Sequence, residues 1–296
     1  MELSWRTRLR VVLVMGLGMI VIGLWAWHWA APNDPMGLVR SSNMGLANQL
    51  LLLVVAGLLG FVCYYLAWPY GYEVGVLAVP AGLAVWASRS GSVVSLLQAV
   101  PTAEHREAVF TGLRWDAFYW LLVVFAGLGG AYLARKLRPS PRLPIKEAYA
   151  TPKLAAPYGP VAAILASLFV TQFLLNAFAQ DVRVTSDMIA SQPVTRQAAF
   201  AIMIAFAGAA YLVRHFLNLS YTWPLLSAAF LYCLGTFVHT RTSVLADLAK
   251  QYPAVCLSNA LLGILPIQLV AFGSFGAVMG YWLAVRYRYW RNHECG

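Results

Sequence analysis

The chain has 296 residues, of which 60% are hydrophobic and 11% are charged, and its formal net charge is +10. Ordinary soluble domains carry about 25% charged residues, so this composition excludes a typical water-soluble protein. A nucleic-acid-binding protein would need a sizeable basic domain, whereas the basic residues here are scattered between apolar runs. The composition therefore predicts an integral membrane protein that does not bind nucleic acid.

Apolar runs of about twenty residues recur along the chain, and each is about long enough to cross a hydrocarbon layer about 30 Å thick as a helix. Seven are clear, at 11–31, 47–68, 116–135, 159–180, 197–217, 221–239 and 259–285. An eighth, at 71–88, has Glu73 near one end and Pro80 in its middle, so it fits either a kinked crossing or a re-entrant segment. We expect an all-α integral membrane protein with eight transmembrane helices.

The basic residues between these segments favour eight crossings over seven. With eight crossings, the N-terminus, the central stretch and the tail lie on one side of the membrane. That side carries 13 Lys and Arg and 4 Asp and Glu, whereas the other side carries 8 Lys and Arg and 7 Asp and Glu. The positive-inside rule makes the first side cytosolic. We therefore expect both termini in the cytosol, with a bacterial inner membrane or an equivalent membrane as the location.

The two halves of the chain show a weak internal similarity. A shift of 152 residues places Arg89 and its flanking serines on Arg241 and its flanking threonines, and Pro101 on Pro253. An even number of crossings per unit gives the two units the same orientation, related by an axis along the membrane normal. The expected organisation is a four-helix unit at 1–135, a cytosolic Pro-rich basic linker at 136–158 and a second four-helix unit at 159–296.

Small residues and amphipathic stretches predict how the helices pack. Ala126 and Gly130 in one half, and Gly276 and Gly280 in the other, form pairs four residues apart that allow close approach of neighbouring helices. The segments 92–100 and 243–252 follow the two matched arginines and are amphipathic. They are predicted to be short helices that lie against the outer membrane surface.

Polar residues in the apolar segments are the candidate binding residues. Gln172, Asn176 and Gln180 are spaced at i, i+4 and i+8, so they share one helix face. This face either makes interhelical hydrogen bonds or lines a polar cavity, and Gln268 is expected to join it. Asp116 is the counterpart of Gln268 under the 152-residue shift. These polar residues are the candidate lining of any substrate path.

Charged residues lie near the ends of the apolar segments, which argues against an ion-coupled pump and against an acid–base enzyme. Arg89 and Arg241 are the strongest binding candidates among them. Two arginines at matched helix ends could clasp an anionic headgroup, a carboxylate or a partner's acidic side chain. Simple anchoring at the interface is the alternative.

Histidines and cysteines give little support for a cofactor. A b-type haem needs two imidazoles at similar depth, and His28 and His239 both fall at outer ends of segments, so they are weak haem-ligand candidates. The four cysteines are Cys63, Cys233, Cys256 and Cys295. They include no C-x-x-C pair, so neither a disulfide framework nor a zinc site is expected. The sequence predicts no cofactor and no metal.

Three functional hypotheses follow. A non-enzymatic membrane subunit or scaffold is favoured by uncharged segments and short loops, with membrane lipids, other membrane subunits or a second copy as partners. A transporter or channel for an uncharged or lipid-like substrate is the alternative, suggested by the duplicated pattern and the polar face. A haem-binding redox subunit is the third hypothesis.

Overall fold

The computed structural model describes residues 5–32, 37–93, 97, 102–139, 158–179, 183–185, 188–189, 193–251, 257 and 259–294. The long helices in these ranges are α1 (Trp5–Trp25), α2 (Leu46–Leu66), α3 (Gly71–Arg89), α4 (Ala103–Leu137), α5 (Gly159–Phe178), α6 (Thr195–Leu217), α7 (Thr222–His239), α8 (Thr242–Gln251) and α9 (Pro266–Glu294). A short antiparallel pair, β1 (Arg183–Thr185) and β2 (Met188–Ile189), lies between α5 and α6. The rest of the described fold is helical apart from turns and loops.

Seven of the described helices, α1 to α6 and α9, are long and apolar enough to cross a membrane. This confirms a helical fold with several candidate membrane-spanning helices, as a polytopic membrane protein has. The ambiguous stretch at 71–88 is one of the seven, with a 3-10 turn at Gly75–Leu77 inside it. The helix α7 has 18 residues, but Trp223, Pro224 and His239 near its ends lower its hydropathy. Its crossing of the membrane therefore stays a prediction.

Two helices begin at places that differ from the predicted ones. The helix α4 begins at Ala103 rather than at 116, and the hydroxyl of Thr102 accepts a hydrogen bond from the backbone N–H of His105 at 3.4 Å, which caps the helix. The helix α9 begins at Pro266 rather than at 259, after a separate 3-10 turn at Ala260–Gly263. Hydropathy alone did not predict either start. The cap at Thr102 and the proline at 266 set where the helical backbone begins, and neither changes the hydropathy of the segment that follows.

Small residues bring the helices together. The helix α2 packs along α4, and α6 packs along α9. A Cβ on Gly130 would overlap the carbonyl oxygen of Gly57, and a Cβ on Gly280 would overlap that of Ala207. Gly276 is held in the same way against Met203. The close packing predicted for these glycines is confirmed.

The predicted surface helices are described only in part. The helix α8 (Thr242–Gln251) confirms the helix predicted at 243–252 as far as residue 251, the last one described there. Most of the segment at 92–100 lies outside the described residues, but Val93 and Leu97 are described, and both are helical and buried. The position of α8 relative to a membrane stays a prediction. Also outside the described residues are Pro101, Gln180, Pro253, Cys256, Cys295 and most of the linker at 136–158.

Candidate functional site

Asp116 lies inside the protein, thirteen residues after α4 begins, and is 2% exposed. Its Oδ1 accepts hydrogen bonds from the backbone N–H of Ser41, at 3.1 Å, and from the Ser41 hydroxyl. Its Oδ2 lies 3.8 Å from Nε of Arg40. We call these three residues the Asp116 cluster. A buried carboxylate needs such partners because it has lost its hydration, so the cluster ties the loop before α2 to the side of α4.

Neighbouring residues hold this loop in place. Gly112, one turn before Asp116, leaves room for the guanidinium of Arg40, since a Cβ there would overlap Nη2. The backbone N–H of Val39 donates to the hydroxyl of Ser90 at 3.0 Å. Gln49 donates to the carbonyl oxygen of Ser41 at 2.8 Å. The loop is thereby fixed across the ends of α2 and α3 as well as to α4.

Several buried polar atoms around the Asp116 cluster have no hydrogen-bond partner within the described part of the chain. They are Nε of Arg40, Oδ2 of Asp116, the indole nitrogens of Trp86 and Trp120, and the hydroxyl of Tyr232. The rings of Trp86 and Trp120 pack edge to face with centroids 6.0 Å apart, and Trp120 lies one turn after Asp116. Buried polar groups are almost always paired, so these atoms are exceptions among the described residues.

Arg114 joins the two halves of the chain beside the cluster. Its Nε donates to the hydroxyl of Thr236 at 3.1 Å, and its Nη2 donates to the hydroxyl of Thr240 at 3.1 Å. Its guanidinium carbon also lies 5.6 Å from the ring centroid of Phe237. Arg114 was not predicted as part of the site, because the apolar segment was expected to begin at 116, two residues after it. A basic residue two positions before a predicted apolar segment was the available signal.

Gln268 makes another side-chain hydrogen bond between the halves and is 3% exposed. Its Oε1 accepts a hydrogen bond from the backbone N–H of Leu265 at 3.1 Å, which is the reach-back bond of a capping box at the start of α9. Its Nε2 donates to the carbonyl oxygen of Ala87 in α3 at 3.4 Å. Both polar atoms are therefore engaged within the protein.

The predicted polar face of α5 forms only in part. Gln172 donates to the side-chain oxygen of Asn176 at 3.3 Å within the same helix, and both residues are half-buried. Gln268, which was expected to join them, is instead bonded to Leu265 and Ala87. The expected grouping of the three residues is therefore wrong, because the start of α9 uses the amide of Gln268 as its cap.

Arg89 and Arg241 are both exposed, and each lies against an aromatic ring of its own half. The guanidinium carbon of Arg89 is 5.4 Å from the ring centroid of Trp27, and that of Arg241 is 5.5 Å from the ring centroid of Phe237. A cation over an aromatic face is stabilised by the ring quadrupole. The arrangement anchors both side chains and leaves room for contacts with a bound group.

The two haem-ligand candidates have different surroundings. His28 Nδ1 donates to the carbonyl oxygen of Trp25 at 2.7 Å, and its ring packs against Trp25 and Trp29. His239 Nε2 lies 3.4 Å from the amide nitrogen of Asn259. The described residues hold no group of three or more His, Cys, Asp or Glu side chains placed to bind a metal ion. Cys63 and Cys233, the two cysteines that the structure describes, are free.

Comparison with protein-family models, with curated proteins and with solved structures finds no match for this chain.

Proposed function

We propose that this protein is a non-enzymatic integral membrane subunit or scaffold that binds membrane lipids and assembles with other membrane subunits or with a second copy. One observation carries the proposal: buried and half-buried polar side chains bond neighbouring elements to one another. Arg114 and Gln268 link the two halves, and Asp116 holds the loop before α2. Such bonds fix the relative positions of helices, which is the requirement of a scaffold.

The outward faces of the spanning helices support the same proposal. The helix α2 exposes Leu50, Val54, Leu58 and Val62, and α5 exposes Val161, Leu165, Phe169 and Phe173. Each row repeats every four residues, so each forms a continuous apolar stripe on one helix face. In a bilayer such stripes contact lipid chains or another transmembrane helix.

We further propose eight crossings in two four-helix units of the same orientation, with both termini in the cytosol of a bacterial or equivalent inner membrane. The matched glycine contacts support the duplication. Gly280 lies 150 residues after Gly130, and its partner Ala207 lies 150 residues after Gly57, the partner of Gly130.

The test of the topology uses a variant free of native cysteines with one new cysteine at Thr102 or at Tyr158, both exposed. A membrane-impermeant maleimide should label Thr102→Cys from outside intact cells, and Tyr158→Cys only after the cells are opened. Equal labelling of both would contradict this topology.

The test of the scaffold proposal is the mass of the assembly that is extracted from the native membrane. The full chain is extracted with a mild detergent and analysed by native mass spectrometry and by size-exclusion chromatography with light scattering. A complex of defined composition, containing a second copy or another membrane protein, is the expected result. A strictly monomeric protein that moves a solute across proteoliposomes would overturn it in favour of a transporter.

The second candidate function is transport of an uncharged or lipid-like substrate. The observation that favours it is an apolar groove of about 560 Å³ on the surface between α5, α6 and α9. A groove of this volume is in the range of small-molecule sites, which is about 300–1,000 Å³. Proteoliposomes containing fluorescent phospholipid in both leaflets test the transport proposal, because a lipid carrier exposes the inner-leaflet label to a membrane-impermeant quencher faster than empty vesicles do.

An absorption spectrum of the purified protein tests the haem hypothesis, which requires a Soret band.

A further inference from the structure

The groove between α5, α6 and α9 has bulky walls and a floor of small residues. Phe169 and Phe173 form one wall, Met279 and Leu283 form the other, and the floor includes Ala207 and Gly208. Both walls are substantially exposed, with Phe169 at 76% and Leu283 at 51%. The groove is therefore open along its length to whatever surrounds the spanning helices.

The length of the groove identifies the kind of molecule that fits it. Along its floor the groove extends from Ile204 to Leu212, which is about 12 Å at a rise of about 1.5 Å per residue. One leaflet of the hydrocarbon core is about 15 Å deep, whereas a spanning helix needs contacts over about 30 Å. The groove thus matches a single lipid chain in one leaflet better than it matches a partner's transmembrane helix.

One end of the groove carries aromatic and basic groups. Tyr211, which lines the groove, stacks on His215 with ring centroids 5.7 Å apart, and Tyr287 lies within 6.4 Å of Tyr211 and 6.0 Å of His215. Arg286 is exposed and lies seven residues after Met279. Seven residues are close to two helical turns, so Arg286 is on the groove face of α9.

We propose that this groove holds one acyl chain of an anionic phospholipid, with the phosphate of the headgroup beside Arg286 and His215. The apolar walls match the chain, the guanidinium matches the phosphate, and the tyrosines lie where a membrane has its polar boundary. Basic pockets at the ends of spanning helices are suited to anionic headgroups. The inference does not depend on the scaffold proposal, because a lipid can occupy the groove of a subunit or of a monomer.

The experiment measures lipid retained by the purified full-length protein in detergent. Native mass spectrometry compares phosphatidylglycerol with phosphatidylcholine of the same chain length. We expect the wild-type protein to retain phosphatidylglycerol about fivefold better, the effect of one basic residue near a lipid phosphate. Equal retention of the two lipids would overturn the headgroup assignment.

Variants separate the headgroup contact from the chain contact. Arg286→Gln should remove the preference for phosphatidylglycerol while chain binding remains. Met279→Trp should lower the retention of both lipids, and Leu283→Trp provides the same test if the first variant does not remain monodisperse. The control for Arg286→Gln is Arg291→Gln, because Arg291 lies five residues after Arg286 and about 140° around α9 from it. The control for the tryptophan variants is Leu122→Trp, at an exposed position on α4. Unchanged retention in Arg286→Gln or in both tryptophan variants would overturn the proposal.

A photoreactive residue at Met279 identifies the occupant in the native membrane. Benzoylphenylalanine at this position is irradiated in intact membranes, and the adduct is identified by mass spectrometry. A phospholipid adduct is the expected result. A protein adduct at Met279 would show that a partner helix fills the groove and would overturn the lipid assignment.

Discussion

Gly280 of α9 lies so close to α6 that a Cβ on it would overlap the carbonyl oxygen of Ala207. Gly130 of α4 has the same relation to Gly57 of α2. Helices in lipid gain little from hydrophobic burial against one another, so they associate through close van der Waals packing, which only small residues permit. These two contacts therefore control how closely the helices of each half approach.

Replacing Gly280 by Leu should destabilise the protein, because the added side chain meets backbone atoms that have no freedom to move aside. Overpacking of this kind typically costs about 1–3 kcal/mol in the free energy of unfolding. Thermal unfolding of the detergent-solubilised variant, followed by size-exclusion chromatography, measures the effect. A variant that melts like the wild type would show that the contact between α6 and α9 is looser than the structure indicates.

Adjacent glycines in α4 provide a matched pair of substitutions. Gly130 is packed against Gly57, whereas a Cβ on Gly129 meets nothing within 4 Å. Gly130→Leu should therefore lower the melting temperature, and Gly129→Leu should leave it unchanged or raise it, since glycine is a poor helix former. Both variants change the same residue type in the same helix. Similar losses in both would mean that the contact with Gly57 does not decide the result, because helix propensity alone predicts a gain for both variants.

Arg114 and Arg241 both lie over the ring of Phe237, but only Arg114 is bonded between the halves of the chain. Hydrogen bonds to charged groups contribute about 1.5–3 kcal/mol each. Arg114→Gln should therefore lower the stability clearly, whereas Arg241→Gln should change it by less than about 0.5 kcal/mol, as for most surface substitutions. The measurement is thermal unfolding of both variants under identical detergent conditions. Aggregation of Arg241→Gln would make that arginine a structural residue.

Hydropathy was sufficient to predict the helical membrane architecture, because an apolar run of about twenty residues has few other stable conformations. The spacing of small residues was sufficient to predict the contacts at Gly130 and Gly280. The start of α4 was not predictable in the same way. Its first turns are polar, and their helical state depends on the cap at Thr102 and on packing that no local pattern records.

Two residues of the candidate site could be predicted from the sequence, but their partners and their arrangement could not. Asp116 and Gln268 stood out as polar residues in apolar surroundings, yet their partners, Ser41 and Ala87, are 75 and 181 residues away in the chain. Ser41 is an ordinary loop residue in the sequence, and Ala87 takes part only through its backbone. Long-range bonds to such groups leave no signal in the spacing of side chains.

Removal of the carboxylate of Asp116 should cost more than removal of its basic partner. Asp116→Ala leaves the N–H and hydroxyl of Ser41 without their acceptor, at a cost of about 1–3 kcal/mol for an unsatisfied buried group. The side chain of Arg40 is 23% exposed, so water replaces part of its interaction and Arg40→Ala should cost less. Chemical or thermal unfolding of the two variants shows which one loses more of the free energy of unfolding. A larger loss in Arg40→Ala would mean that the guanidinium, rather than the serine, is the main partner of the carboxylate.

Substitution of Gln268 and of Gln172 compares a hydrogen-bonded side chain that the fold requires with one that it does not. Gln268 is buried and bonded to Leu265 and Ala87, whereas Gln172 is half-buried and bonded only within its own helix to Asn176. Gln268→Leu keeps a similar volume but leaves the start of α9 without its cap and the carbonyl of Ala87 without its donor. The expected loss is about 1–3 kcal/mol.

Gln172→Leu should have little effect, because even hydrogen bonds between membrane helices average only about 0.6 kcal/mol and leucine is compatible with a lipid-facing surface. The two variants are compared by thermal unfolding in the same detergent and by flux in proteoliposomes. A stable Gln172→Leu protein with unchanged flux agrees with a packing role for the polar face of α5. If Gln172→Leu instead keeps its stability and abolishes a measurable flux, that face lines a substrate path, and the protein is a transporter rather than a scaffold.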